Sequence, residues 1–165
     1  MVISMNSKII VYHGSDTIID SPKILQPNRP LDFGGGFYVT TSKEQAARWA
    51  NKVAYRNGTQ YKCLNCYEFR LFDAKLEMNL LNFEIADEKW LDFICSHRQG
   101  KAVCNYDIVM GPVADDRVYR VVVEYENGNV DKERALKELK TEKLCNQILF
   151  HMDKSLTYLR YIDTR

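Results

Sequence analysis

The decapeptide "LDFGGGFYVT", Leu31 to Thr40, is the stretch on which the reading of the fold turns. Three glycines run directly into Phe37, Tyr38, Val39 and Thr40. Glycine reaches backbone conformations that other residues avoid. Aromatic and β-branched residues favour strands. The juxtaposition predicts a tight irregular approach followed by a strand over 36–40. The glycines do not form a phosphate cradle, because no Gly-Lys-Ser or Gly-Lys-Thr follows and no helix begins at their end. They are not a dinucleotide fingerprint either, because they precede a strand instead of following one. Two readings stay open: a plain turn feeding a strand, or a place where backbone passes close to a flat ligand.

Downstream, Ser42 is placed to cap a helix, with Gln45 at the capping-box position. Ala46, Ala47, Trp49, Ala50, Val53 and Ala54 give that helix an apolar face, and Asn57-Gly58 ends it. Upstream, "KIIVY" (Lys8–Tyr12) reads as a buried strand stopped by His13-Gly14-Ser15. Residues 16–35 hold three of the four prolines and read as a long irregular connection, with one helical turn near Asp20–Leu25.

Further along, "CYEFRL" (Cys66–Leu71) alternates like a half-buried strand. Asp87 opens a helix whose buried stripe is Trp90, Leu91, Phe93 and Ile94, with Gly100 past its end. "DIVMG" (Asp107–Gly111) is a short strand closed by Pro112. Val118, Val121, Val122 and Tyr125 follow helical spacing, with Gly128 beyond. Asp131–Lys140 is a helix with a charged outer face. "QILFH" (Gln147–His151) and Tyr158–Ile162 complete the strands. Helices and strands mix without strict alternation. This predicts an α+β fold with a largely antiparallel, curved or split sheet, in one domain over residues 1–165.

The chain has 165 residues, 45% hydrophobic and 27% charged, with a net charge of +1. That balance argues against a protein gripping nucleic acid mainly through phosphates. No apolar run is long enough to span a bilayer, and the N-terminus lacks the pattern of a signal peptide. The five cysteines are an odd count, expected as reduced thiols in a cytoplasmic protein.

Several residues invite chemical readings beside structural ones. His13 ends the first strand next to Gly14 and is either a satisfied core histidine or a ligand contact. Tyr38 is either a strand aromatic or a flat platform for a ring. "CLNC" (Cys63–Cys66) has a spacing that suits zinc or a redox pair, but zinc needs four ligands, and a redox pair needs a strand-to-helix junction where here a strand follows. Asp115 and Asp116 read as favouring a helix start. Lys43, Arg48, Lys52 and Arg56 line one helix, as a solvated face or as phosphate contacts.

Taken in order, "VYHGS", "GGGFYVTTSKEQAARWA" and "NQILFH" resemble the ADP-ribosyltransferase superfamily, in the branch related to diphtheria toxin and the poly-ADP-ribose polymerases. "WLDFI" (Trp90–Ile94), "GPVADD" (Gly111–Asp116) and "QILF" extend the likeness, nearly end to end, to a bacterial family of short single-domain proteins in that superfamily. The resemblance implies an ADP-ribosyltransferase-like split sheet, NAD as co-substrate and no metal. It implies that His13 hydrogen-bonds an NAD ribose hydroxyl and that Gly14 holds the nicotinamide carboxamide through its backbone. Tyr38 would stack on the nicotinamide, Gly36 would keep the neighbouring backbone close, and Ser15 would add a polar contact.

The departure is Gln147, where the superfamily usually has Glu. Gln keeps an acceptor but brings no charge to the oxocarbenium-like sugar that forms when the nicotinamide bond breaks. Glu142 and the Asp115–Asp116 pair are candidate stand-ins. The resemblance thus implies a mono-ADP-ribosyltransferase acting on a protein or nucleic-acid acceptor, of a toxin or defence type with an antitoxin protein as partner. The alternative is an NAD- or ADP-ribose-binding module without chemistry.

Overall fold

The computed structural model describes residues 8–26, 31–113, 116–140 and 144–165. The elements in chain order are β1 (Ile9–Ser15), β2 (Phe37–Val39), α1 (Lys43–Asn57), β3 (Cys63–Phe69), α2 (Leu71–Glu77), β4 (Leu80–Asn82) and α3 (Glu88–Arg98), then β5 (Ile108–Pro112), α4 (Asp116–Glu126), α5 (Lys132–Leu139), β6 (Asn146–Phe150), α6 (Asp153–Leu156) and β7 (Leu159–Thr164). The fold is α+β. The strands form two sheets, β1-β3-β7 and β2-β6-β5-β4. Every pairing is antiparallel except β4 with β5.

Strand alternation assigns the layers. Val11, Tyr67 and Phe69 of the first sheet share one buried cluster with Phe37, Val39, Ile108, Ile148 and Phe150 of the second. The other face of the second sheet carries Val109 and Leu149. These pack on Trp90, Leu91 and Ile94 of α3, on Val118, Val121 and Val122 of α4, and on Ala135 and Leu139 of α5. Helix α1 covers the outer face of the first sheet at Gly14. The order through the molecule is therefore helix, sheet, sheet, helices. Trp90 is fully buried and its indole Nε1 donates to the Pro112 carbonyl at 2.9 Å, which fixes α3 to the end of β5.

Local signals place the helix starts well. Ser42 Oγ accepts from the Gln45 amide at 3.2 Å, Asp87 accepts from Trp90, and Asp131 accepts from Arg134. The capping box at Ser42 is only half formed. The Ser42 amide donates to Thr40 Oγ1 at 3.0 Å, and Thr40 rather than Ser42 is the partner of the Gln45 side chain.

Several expectations need correction. β1 does not stop at Tyr12; it runs through His13, Gly14 and Ser15 because β3 pairs with all three. Residues 20–25 contain no helical turn. Leu71 opens α2 instead of closing β3. The buried stripe of α1 is narrower than its apolar residues suggest: Ala46, Ala50 and Ala54 face the sheet, whereas Ala47 and Trp49 are exposed. Among the described residues, no helix is long and apolar enough to cross a membrane.

Candidate functional site

The two sheets meet at one backbone pair and then part. Tyr12 and Thr40 exchange both hydrogen bonds, at 2.8 and 2.9 Å. Residues two apart in a strand turn their N–H and C=O to the same side. Gly14 therefore directs its amide and carbonyl away from β3, toward β2. The register agrees, because Leu64, opposite Gly14, uses both backbone groups on Arg165. By the same rule Tyr38 directs its backbone groups away from β6, toward β1. The pair that would follow Tyr12–Thr40 in a continuous sheet is Gly14–Tyr38. Here β1 and β2 form no ladder past that bridge, and Gly14 and Tyr38 are the residues that flank the opening.

His13 occupies this opening from the inter-sheet side. Its Nδ1–H donates to the Tyr38 carbonyl at 2.6 Å. Its ring stacks on Phe37, with centroids 4.5 Å apart and planes 26° from parallel. Burial pulls its pKa below the usual histidine value, and the hydrogen bond to Tyr38 offsets part of that. The imidazole is thus held neutral, and with Nδ1 protonated, Nε2 keeps its lone pair as an acceptor.

Gly14 has a packing reason to be glycine as well. A Cβ there would lie 2.0 Å from the Ala46 carbonyl oxygen and 2.6 Å from the Ala50 amide. The missing side chain lets α1 lie directly on β1. Ser15 is buried, and its hydroxyl accepts from the Thr17 amide at 3.3 Å, so it closes the turn that leaves β1.

The glycine run folds back over β2. The Tyr38 hydroxyl donates to the Gly34 carbonyl at 2.6 Å and accepts from the Phe33 amide at 3.2 Å. His151 Nδ1–H donates to the Gly35 carbonyl at 2.6 Å. Gly36, at φ +147°, sits so close to β6 that a Cβ would meet the Phe150 carbonyl oxygen at 2.3 Å. The glycines are therefore a sharp reversal that brings the loop onto the strand it precedes. Tyr38 is thus a tether for the glycine loop. Burial raises its hydroxyl pKa well above the usual phenol value, and the charge of Asp32 adds to the rise.

Gln147 lies on the same sheet face as Tyr38, because Tyr38 pairs with Leu149 and Gln147 is two residues from Leu149. His13 approaches β2 from the opposite face. The structure thus places Tyr38 and Gln147 on one face of the second sheet, in diagonal positions on neighbouring strands, and joins His13 to Tyr38 through the Tyr38 carbonyl. Gln147 is buried, and its Nε2 donates to Asp32 Oδ2 at 3.3 Å. Asp32 Oδ1 pairs with Arg98 Nη1 at 3.3 Å, and Arg98 Nε lies 3.7 Å from Glu126 Oε1. The guanidinium also sits over the Tyr119 ring, 4.2 Å from its centroid.

Asp32, Arg98, Glu126 and His151 were not picked out from the sequence. Asp32 and His151 lie inside the stretches already quoted. Of the stand-ins for the missing Glu, Glu142 and Asp115 fall outside the described residues, and Asp116 begins α4. Cys63 and Cys66 lie on β3 as free thiols, and being three residues apart in a strand they face opposite sides. No group of three or more His, Cys, Asp or Glu among the described residues could hold a metal. A shallow hollow of about 520 Å³, lined by Asp131, Glu133, Arg134, Lys137 and Glu138, lies on α5 and contains none of these site residues.

The model of one protein family, described as a protein of unknown function (DUF3990), matches residues 9–161. The chain belongs to the DUF3990 family. No curated protein and no solved structure matches the DUF3990 chain. The match begins at the first residue of β1 and ends within β7, so the opening and both of its walls lie inside the DUF3990 region.

Proposed function

We propose that this DUF3990 protein is an NAD-dependent mono-ADP-ribosyltransferase acting on a macromolecule. The observation that supports this most is the opening between β1 and β2, where Gly14 directs an amide and a carbonyl beside a neutral His13. A primary carboxamide such as that of nicotinamide carries one donor group and one acceptor. It can make with a strand's outward N–H and C=O the pair that a neighbouring strand would make. His13 Nε2 is an acceptor for a ribose hydroxyl. In the reaction the nicotinamide C–N bond breaks, neutral nicotinamide leaves, and the acceptor's nucleophile bonds to the anomeric carbon and gives up its proton. The cation-like sugar in between is stabilised by preorganised negative charge.

A second reading is a binding module that holds NAD or ADP-ribose without chemistry. It is favoured by Gln147, which is neutral at the strand position where the resemblance implies Glu. Nicotinamide release from NAD by the purified protein, with and without cell lysate, separates the two. Release that is raised by lysate and lost in Tyr38→Ala supports the transferase. NAD binding without release in the wild type, with release gained in Gln147→Glu, supports the binding module. A toxin role with an antitoxin partner predicts that expressing the wild type slows growth and that expressing His13→Ala does not.

A further inference from the structure

We propose that the outward face of α1 is a docking surface for single-stranded nucleic acid. This does not depend on the transferase reading above. One side of α1 is buried through Ala46, Ala50 and Ala54. The other side exposes Arg48, Trp49, Tyr55 and Arg56. At 3.6 residues per turn these four fall within roughly 120° of the helix circumference. Tyr55 is at one margin, Trp49 at the other, and the two arginines lie between them. Trp49 is 40% exposed and Tyr55 is 91% exposed, although rings of this size gain most from burial. The Arg56 guanidinium lies over the Trp49 ring, 5.8 Å from its centroid, so a cation and an aromatic platform are already joined.

Ion pairing does not account for these arginines. Arg70, Arg98, Arg134, Arg160 and Arg165 each face a carboxylate at 3.1–3.3 Å, whereas no carboxylate among the described residues pairs with Arg48 or Arg56. Glu44, one turn before Arg48, accepts from Ser42 Oγ at 3.4 Å. Lys52, on the same arc, is engaged in an interaction of its own. Exposed guanidiniums flanked by exposed rings match what a single strand offers, phosphates beside bases whose faces are open. A duplex hides those faces in its stack, and an acidic peptide supplies the charge without the bases. Arg48 and Arg56 are about 12 Å apart along the helix axis, roughly the rise of three or four stacked nucleotides at about 3.4 Å each. Two phosphate contacts are in keeping with a net charge of only +1, and stacking supplies the remainder. The buried side of α1 seals Gly14, so a strand on the outward face lies one helix thickness, about 10 Å, from the β1 wall of the opening.

The test is fluorescence anisotropy of short labelled single strands of one mixed sequence, as DNA and as RNA, titrated with the full chain over a range of salt. Binding of either supports the proposal, and the ratio of the two affinities separates RNA from DNA. The same sequence as a duplex is expected to bind less tightly. Trp49→Ala and Tyr55→Ala are each expected to weaken binding about 10-fold, the scale of one stacked base, with the salt dependence unchanged. Arg48→Gln/Arg56→Gln is expected to reduce the slope of log affinity against log salt by about 1.4, for two lost phosphate contacts. Urea unfolding of each variant checks that α1 is intact, and Tyr55, almost wholly exposed, is the substitution least able to disturb it. Arg134→Gln/Lys137→Gln, on α5, is expected to leave binding unchanged. No binding of either strand at low salt overturns the proposal, as does binding that the α1 variants leave within about twofold. Competition by poly-glutamate as strong as that by the unlabelled strand also overturns it, and assigns the face to an acidic protein.

Discussion

The candidate site has two walls, β1 at the opening between β1 and β2 and β6 on the far side of β2, and they are built on different principles. The β1 wall is neutral and close-packed. His13 is held by a backbone carbonyl and an aromatic ring, and Gly14 is sealed by the backbone of α1. The β6 wall is charged. Gln147 is the first member of a chain that runs through Asp32 and Arg98 to Glu126. Shape sets the first wall and ionic balance sets the second. The two should therefore fail differently.

The largest effect is expected on the charged wall. Arg98→Met removes the guanidinium that faces both Asp32 and Glu126 in a poorly solvated place. Removing one partner of a buried ion pair costs about 3–5 kcal/mol, read as a drop in urea-unfolding free energy. A loss below about 1 kcal/mol would mean that solvent screens the cluster and that the contrast between the walls is false. Next comes Gly14→Ala, whose methyl would collide with helix backbone that cannot rotate away. Overpacking of this kind costs about 1–3 kcal/mol, and it is expected to be insensitive to salt, unlike the loss in Arg98→Met.

Tyr38→Phe is smaller. It keeps the ring and removes the hydroxyl that ties the Phe33 amide and the Gly34 carbonyl. A loss of about 1 kcal/mol is expected, together with faster amide exchange at Gly34–Gly36. Unchanged exchange there would show that His151 alone holds the loop.

The smallest effect is the acid response of the neutral wall. His13 has a folded pKa below its unfolded value of about 6.5. Between those two pKa values the unfolded chain binds the extra proton, so stability rises with pH in that window. The contribution is complete above about pH 6.5 and is lost as pH falls through the folded pKa. Urea unfolding of wild type and His13→Gln should therefore diverge above that window and converge below it. A constant difference from pH 7 to pH 4 would remove His13 from the titration.

The sequence was most legible where the physics is local. Ser42, Asp87 and Asp131 announce helix starts through contacts three residues away. The spacing of Val118, Val121 and Val122 gives the buried side of α4 despite β-branched residues. Legibility fell where distant chain decides. Gly14 reads as a strand stop, yet β3 continues the ladder through it. Trp49 reads as core, yet α1 lies so close to β1 that only alanines fit beneath it. The three-residue β4 has no pattern of its own and exists because β5 pairs with it.

The candidate site divides in the same way. His13, Gly14, Gly36, Tyr38 and Gln147 could be singled out from short motifs. Asp32 could not, because its partner Gln147 lies 115 residues away and nothing near Asp32 announces it.

The most direct test of the central claim is an NMR titration of amide resonances with NAD and with nicotinamide alone. If the carboxamide pairs with the outward backbone of β1, the Gly14 amide should move downfield on saturation, with Tyr38 and Gly36 following. Nicotinamide alone should reproduce the Gly14 shift. Saturating NAD that leaves Gly14 and Tyr38 unmoved would contradict the account.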